Sequence, residues 1–296
     1  MRTMMICLAV LLCLAPVGYA GWQYEVRSEM SMPGTGQAMT SRSRGYSDGT
    51  RFRFDAIESD NPMQPSGSYV LSTDGGATLY MVNPAEKTYT KLDMAALAGM
   101  GKQVSGMMSQ MGAQMQIQDH KIEKILEEKG PVIAGFPTRH YKFRTRYTMA
   151  MNMFGFSSKT TTITEQDFYT AAGLEGIGMD VWMKKAEIIT GNSELDALVK
   201  AEMKKVSGTP LKTITVTTTN SDQGGDRVSR MLFEVTQLKK ARPAASLFAL
   251  PQGYREVSMM PQPGQHGRPP AGHPGSAHGQ PGQMPDLQKL MKQFQR

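Results

Sequence analysis

The sequence predicts an α+β fold: a curved antiparallel β-sheet, a half-barrel of about eleven strands, with helices inserted over its concave face. Three observations carry this expectation. Apolar and polar residues alternate with a period of two over most of residues 21–238, the mark of strands with one buried and one wet face. Clusters of Gly, Asp, Asn and Pro punctuate the alternation at intervals suited to tight turns. One stretch, 94–115, switches to apolar spacings of three and four, which is the period of a helix, and 180–189 and 193–206 also look helical, the second opened by Ser193 with Asp196 three residues on, close to a capping box.

The ends of the chain are set apart first. Arg2, the apolar run 4–17 and the small residues Gly18 and Ala20 follow the three-part plan of a secretory signal, so residues 1–20 are expected to be cleaved before Gly21. Both cysteines, Cys7 and Cys13, lie inside that signal. The mature chain then has no thiol, which excludes disulfides, thiolate metal sites and cysteine nucleophiles together. Residues 259–296 form the other end. Pro and Gly stand at nearly every second position of 259–284, a composition that gives a disordered spacer. His266, His273 and His278 fall in it with no fixed geometry to hold them, and a solvated linker is expected in preference to a metal-collecting tract. Leu287, Leu290, Met291 and Phe294 share one face of a possible short terminal helix. This leaves 21–258 as one folded domain.

Along that domain, Trp22, Tyr24, Val26 and Met30 alternate with Gln23, Glu25, Arg27 and Glu29, and Phe52 and Phe54 with Arg51 and Arg53. Ser47-Asp48-Gly49 joins the second strand to the third. Asp74-Gly75-Gly76 joins the fourth (68–72) to the fifth (78–83), and Asn83-Pro84-Ala85-Glu86 leads into the sixth (88–93). The result is a six-strand meander. Met94, Leu97, Val104, Met107, Met108, Met111 and Met115 then recur at helical spacing, in a helix weakened by Gly99, Gly101, Gly106 and Gly112 at about 1 kcal/mol each against alanine. Strands are expected again at 117–128, 138–153 and 158–169, helices at 180–189 and 193–206, and final strands at 211–220 and 227–238 around the turn 221–226.

Four segments, in this order, resemble a secreted domain-of-unknown-function family, number 4412: Tyr80-Met81-Val82-Asn83-Pro84-Ala85-Glu86-Lys87-Thr88-Tyr89, Gly135-Phe136-Pro137-Thr138-Arg139-His140-Tyr141, Gly208-Thr209-Pro210-Leu211, and Ser246-Leu247-Phe248-Ala249-Leu250-Pro251-Gln252-Gly253-Tyr254. That family is similar to the periplasmic LolA and LolB lipoprotein carriers. The resemblance implies a curved antiparallel sheet closed by helices over an apolar cavity for acyl chains, and a periplasmic location.

Chemistry-bearing residues are sparse. The domain holds two histidines, His120 and His140, and neither stands in a G-x-S-x-G, H-E-x-x-H or phosphate-loop context, so no enzymatic activity and no cofactor are expected. A net charge of +6 without Arg2 (33 basic residues less that one, against 26 acidic) is too small an excess to argue for nucleic acid. No run approaches 18 apolar residues, so no transmembrane segment is expected.

Methionine is the remaining excess. Of 25 in the chain, six fall between Met94 and Met115 and three between Met149 and Met153. On the strand 139–153, Tyr141, Phe143, Tyr147, Met149, Met151 and Met153 take one face and His140, Lys142, Arg144 and Arg146 the other. That basic face is expected to be a solvated surface whose charges pair with Glu123, Glu127 and Glu128. If the Met-rich helix lies across the sheet, Met107, Met108, Met111, Phe143, Tyr147 and Met151 line a cavity for an apolar small molecule, lipid or acyl chain. Flexible, polarizable thioethers suit cargo of variable shape. Two alternatives stay open. One is Cu(I) held by the Met107, Met108, Met111, Met115 and Met149, Met151, Met153 sets, although alternate residues on a strand stand about 6.8 Å apart, too far to share an ion unaided. The other is a structural envelope protein with a filled core and an envelope protein partner.

Overall fold

The computed structural model describes residues 21–31, 38–97, 99, 106, 114–153, 156–174, 177, 196–197, 200–201, 204–222 and 224–258. The chain divides into two compact units, 1–259 and 260–296. In the first, twelve strands form one sheet: β1 (Gly21–Ser31), β2 (Ala38–Asp48), β3 (Arg51–Ser59), β4 (Tyr69–Ser72), β5 (Thr78–Asn83), β6 (Thr88–Asp93), β7 (Gln114–Ile133), β8 (Phe136–Met153), β9 (Phe156–Ala171), β10 (Thr209–Ser221), β11 (Gly225–Ala241) and β12 (Arg255–Glu256). Their order is β12-β6-β5-β4-β3-β2-β1-β11-β10-β9-β8-β7. The sheet is unclosed, and the pairings are antiparallel except the two-residue β12–β6 contact.

The expected turns join these strands. In the β4–β5 turn the Asp74 carboxylate accepts from the Thr78 backbone N–H (2.9 Å) and the Ser72 hydroxyl (3.0 Å), while Gly75 and Gly76 adopt φ of 70° and 83°. Ala134 and Gly135, both at positive φ, make a two-residue turn from β7 to β8, the geometry that matches strand twist.

Curvature follows from one contact. Trp22 on β1 and Phe136 on β8 meet edge to face with ring centroids 6.4 Å apart. Four strand spacings of about 4.8 Å separate β1 from β8, so a flat sheet would hold them about 19 Å apart. The sheet therefore curls, and its concave, inner face holds the main core of Trp22, Tyr24, Val26, Leu211 and Val235, with Ile133, Ala171, Leu174 and Ile177. Burying each large apolar side chain contributes about 1.5–3 kcal/mol. Gly45 lies opposite Tyr24, where a Cβ would stand 2.1 Å from its ring; only a glycine lets that ring lie across β2. On the outer face of the β3–β6 half, Tyr69, Leu71 and Val82 pack under a single 3-10 turn, Ala245–Phe248, through Phe248. Covered on both faces, β4 is buried throughout.

Two expectations are corrected. Among the described residues the sheet has twelve strands, because Arg255 and Glu256 add a strand too short to show periodicity. The inserted helices are not supported. Residues 94–97 do form a helical turn, capped by Asp93 accepting from the Ala95 (2.9 Å) and Ala96 (3.0 Å) N–H groups. Met115, however, belongs to β7 and pairs in register with Met151. The helical spacing of methionines runs on into the alternation that already begins at Met115 and Ile117. Among the described residues of the expected helices, 99, 106, 196–197 and 200–201 are also helical, whereas 114–115 are strand and 204–206 are not helical; Met107, Met108 and Met111 lie outside the described residues, as does the tail. No helix among the described residues is long and apolar enough to cross a membrane.

Candidate functional site: an open band on the inner face

β8 alternates as its sequence demands, and register carries each of its faces across the sheet. At the lower end of the inner face, Tyr141, Phe143 and Phe168 form a sealed cluster with Ile122 and Val206. Phe143 is 3% exposed and meets Phe168 edge to face at 6.2 Å. The Tyr141 and Ser207 hydroxyls share a hydrogen bond of 2.9 Å that ties the segment before β10 over this cluster.

Further along β8, among the described residues, burial is less complete. Tyr147, Met149 and Met151 are half-buried, and Ile117 of β7 stands in register with Met149. Beside them runs a floor of hydroxyls: Thr160, Thr162 and Thr164 on β9, then Thr215, Thr217 and Thr219 on β10. Thr164 and Thr217 share a hydrogen bond of 3.3 Å across that floor. On its far side Met231, Met30 and Met39 stand on one rung of β11, β1 and β2, with Met231 41% and Met30 39% exposed. Of the six residues proposed from sequence, Phe143 is in the sealed aromatic cluster, Tyr147 and Met151 are on the open part of the same face, and Met107, Met108 and Met111 lie outside the described residues. Sequence reasoning misses Met30, Met39 and Met231. Each looks like an ordinary strand residue, and only the pairing of segments 200 residues apart brings them together.

The outer face of β8 is balanced electrostatically. Glu165 of β9 accepts from Arg144 (2.6 Å) and pairs with Lys142 (3.0 Å), and these cations hold its carboxyl below the ordinary range, Arg144 having the larger effect. Hydrogen bonding to Glu165 in turn raises Lys142. Arg139, which alternates with His140 and so shares the side of Tyr141, pairs with Glu127 at 2.7 Å. His140, 11% exposed at its side chain, stacks on Tyr169 with ring centroids 4.3 Å apart; its Nε2 lies 2.7 Å from Asp167 and its Nδ1 3.4 Å from Glu128. It is thus a partnered group, not the solvated one its polar face suggested. Such pairs contribute about 0–1 kcal/mol each. Their effect is to leave little net positive potential for an acidic partner.

Two hollows of about 290 and 380 Å³ are present. The first is lined by Met63, Val70, Met81 and Val257 among others, the second by Lys121, Glu123, Arg144, Arg146, Ile163 and Glu165; neither contains the proposed cavity residues. Among the described residues no group of three or more His, Cys, Asp or Glu could hold a metal ion.

A single antiparallel sheet curled around a core, with an open thioether-and-hydroxyl band on the same face, defines a β module with one exposed soft surface. The chain belongs to the family described as Domain of unknown function (DUF4412), whose model matches residues 26–254. No curated protein matches it. Solved structures similar to it include an uncharacterized conserved protein from Thermus thermophilus, 10% identical over 81% of this chain and 91% of that one, with a TM-score of 0.35. A putative outer membrane lipoprotein-sorting protein domain from Vibrio parahaemolyticus is 10% identical over 78% and 90%, with a TM-score of 0.28. A DUF1329 family protein from Desulfovibrio piger is 10% identical over 78% and 90%, with a TM-score of 0.29.

Proposed function

We propose that this is an exported, periplasmic, non-enzymatic binding protein that holds an acyl chain or another apolar ligand along the open band of its inner face. The observation that supports the reading is the change of character along β8. Its inner face is sealed at Tyr141 and Phe143 and, among the described residues, less completely buried at Tyr147, Met149 and Met151, where apolar side chains stand half-buried beside a hydroxyl floor. Apolar surface on a concave face, continuous with a core but not covered by it, suits a ligand's hydrocarbon. Met107, Met108 and Met111 are proposed as the other wall.

The magnitude is adequate. At about 0.8 kcal/mol per buried CH₂, a fourteen-carbon chain gains roughly 10 kcal/mol before ordering costs, so no polar anchor is required. Titration of the delipidated protein with a fluorescent fatty acid tests the reading. Saturable uptake is expected, weakened about tenfold by the double variant Met149→Gln, Met151→Gln. Absence of uptake, or uptake indifferent to that variant, would refute it.

A further inference from the structure

The hydroxyl floor of the inner band ends at a cation. Arg227 of β11 stands directly opposite Thr219 of β10, and the same rung continues through Thr162 of β9 to Tyr147 of β8. Directly paired residues project to one face with Cβ atoms about 4.5–5.5 Å apart, so Arg227 and Thr219 share the face that carries Tyr147 and Met149. The guanidinium leans over the β10–β11 hairpin beside Ser221. A Cβ at Gly224 would stand 3.7 Å from Arg227 Nη2 and 3.9 Å from the Cβ of Ser221. Ser221 belongs to the next rung, with Thr160 and Met149, and lies two strand spacings, about 10 Å, from that methionine.

Nothing among the described residues neutralises this charge. Arg227 makes no hydrogen bond or ion pair with them, and the side-chain hydroxyls of Thr160, Thr162 and Thr219 make none either. The three rungs that meet β11 from Ser229 to Gly225 carry no Asp or Glu on β8, β9 or β10. The two carboxylates of the hairpin are engaged elsewhere: Asp222 accepts from the Ser158 hydroxyl (3.2 Å) and the Lys159 N–H (3.0 Å), and Asp226 accepts from the Asn220 amide. A guanidinium is a fork of donors matched to carboxylate and phosphate oxygens, and the Thr219 hydroxyl opposite adds one more. We propose that Arg227 and Thr219 hold the anionic head, a carboxylate or phosphate, of a single-chain amphiphile whose hydrocarbon crosses Thr160 and Thr162 to reach Tyr147, Met149 and Met151. The inference rests on the apolar-ligand reading and names the class of ligand that the hydrocarbon contacts alone leave open. Since burial of the chain supplies most of the affinity, the cation acts on the choice between heads.

The test is displacement of a fluorescent fatty acid from the full chain, without its signal, by three competitors of equal chain length: myristate, tetradecyl phosphate and methyl myristate. At low salt the better of the two anions is expected to bind about tenfold more tightly than the neutral ester, and the rank of the anions names the head. Arg227→Gln should abolish that preference, Arg227→Lys should keep part of it, and raised salt should narrow it. Binding of the ester serves as the control for folding in each variant. Met149→Gln, Met151→Gln should instead weaken all three competitors alike. Equal binding of anions and ester by the parent, or a preference unchanged in Arg227→Gln, would overturn the headgroup site and leave the apolar band standing. Failure of the parent to take up the probe or any competitor would overturn the band itself, and the headgroup site with it.

Discussion

Replacing Phe143 by alanine separates core from ligand wall along β8. Phe143 is 3% exposed, packed by Tyr141, Phe168, Ile122 and Val206, and its edge-to-face contact with Phe168 adds about 0.5–1.5 kcal/mol to the area it buries. Truncating such a ring costs about 3–5 kcal/mol. For a unit of this size each kcal/mol lowers the melting temperature by about 2–4 °C, so Phe143→Ala should melt about 6–20 °C below the parent. Met151 lies on the same face but is half-buried, and Met151→Ala should cost only about 1–2 kcal/mol, or about 2–8 °C, while weakening fatty-acid uptake. Differential scanning calorimetry on the two variants makes the comparison. If Phe143→Ala melts within about 2 °C of the parent, less than a single kcal/mol would produce, the ring does not seal a core, and the division of β8 into closed and open parts is mistaken.

Further outcomes follow from other parts of the sheet. Gly45→Ala should destabilise the domain by several degrees and alter near-ultraviolet circular dichroism, because the new methyl displaces the Tyr24 ring; an unchanged tyrosine signal would contradict that packing. Asp74→Ala, which removes an acceptor for Thr78 and Ser72, should cost about 1–3 kcal/mol in urea unfolding with an unchanged m-value. Burial alone would raise the Asp74 carboxyl, but those hydrogen bonds outweigh it and leave it lowered, as Arg144 and Lys142 leave Glu165. A carboxyl depressed in the fold stabilises it above its unfolded value and ceases to as pH falls through the folded one. Stability should therefore be flat from neutrality to about pH 5 and decline below, with a shallower acid decline in Glu165→Gln; an identical acid limb would show that Glu165 does not contribute.

Much of this fold is legible in the sequence because a strand with one buried face must alternate, and a tight turn must use residues that tolerate its dihedrals. Trp22, Tyr24 and Val26 mark β1, and Asp74-Gly75-Gly76 marks the β4–β5 turn, for those reasons. The boundary before β7 is not legible because the same Met115 that extends a helical spacing also extends the alternation of β7. Partnerships across strands are legible only in part: the expected pairing with the preceding strand is met by His140 with Glu128 and Arg139 with Glu127. Glu165 and Asp167 sit on the polar face of β9, but nothing local says they meet Lys142 and His140. Met30 and Met231 likewise share a rung only because β1 pairs with β11 in one register out of many.

Native mass spectrometry of the protein purified from its own cells without detergent addresses the binding reading most directly. Lipid-sized adducts are expected, lost on delipidation and restored by added fatty acid. A bare mass, with no adduct formed afterwards, would contradict the reading and leave the open band on β8 as surface without cargo.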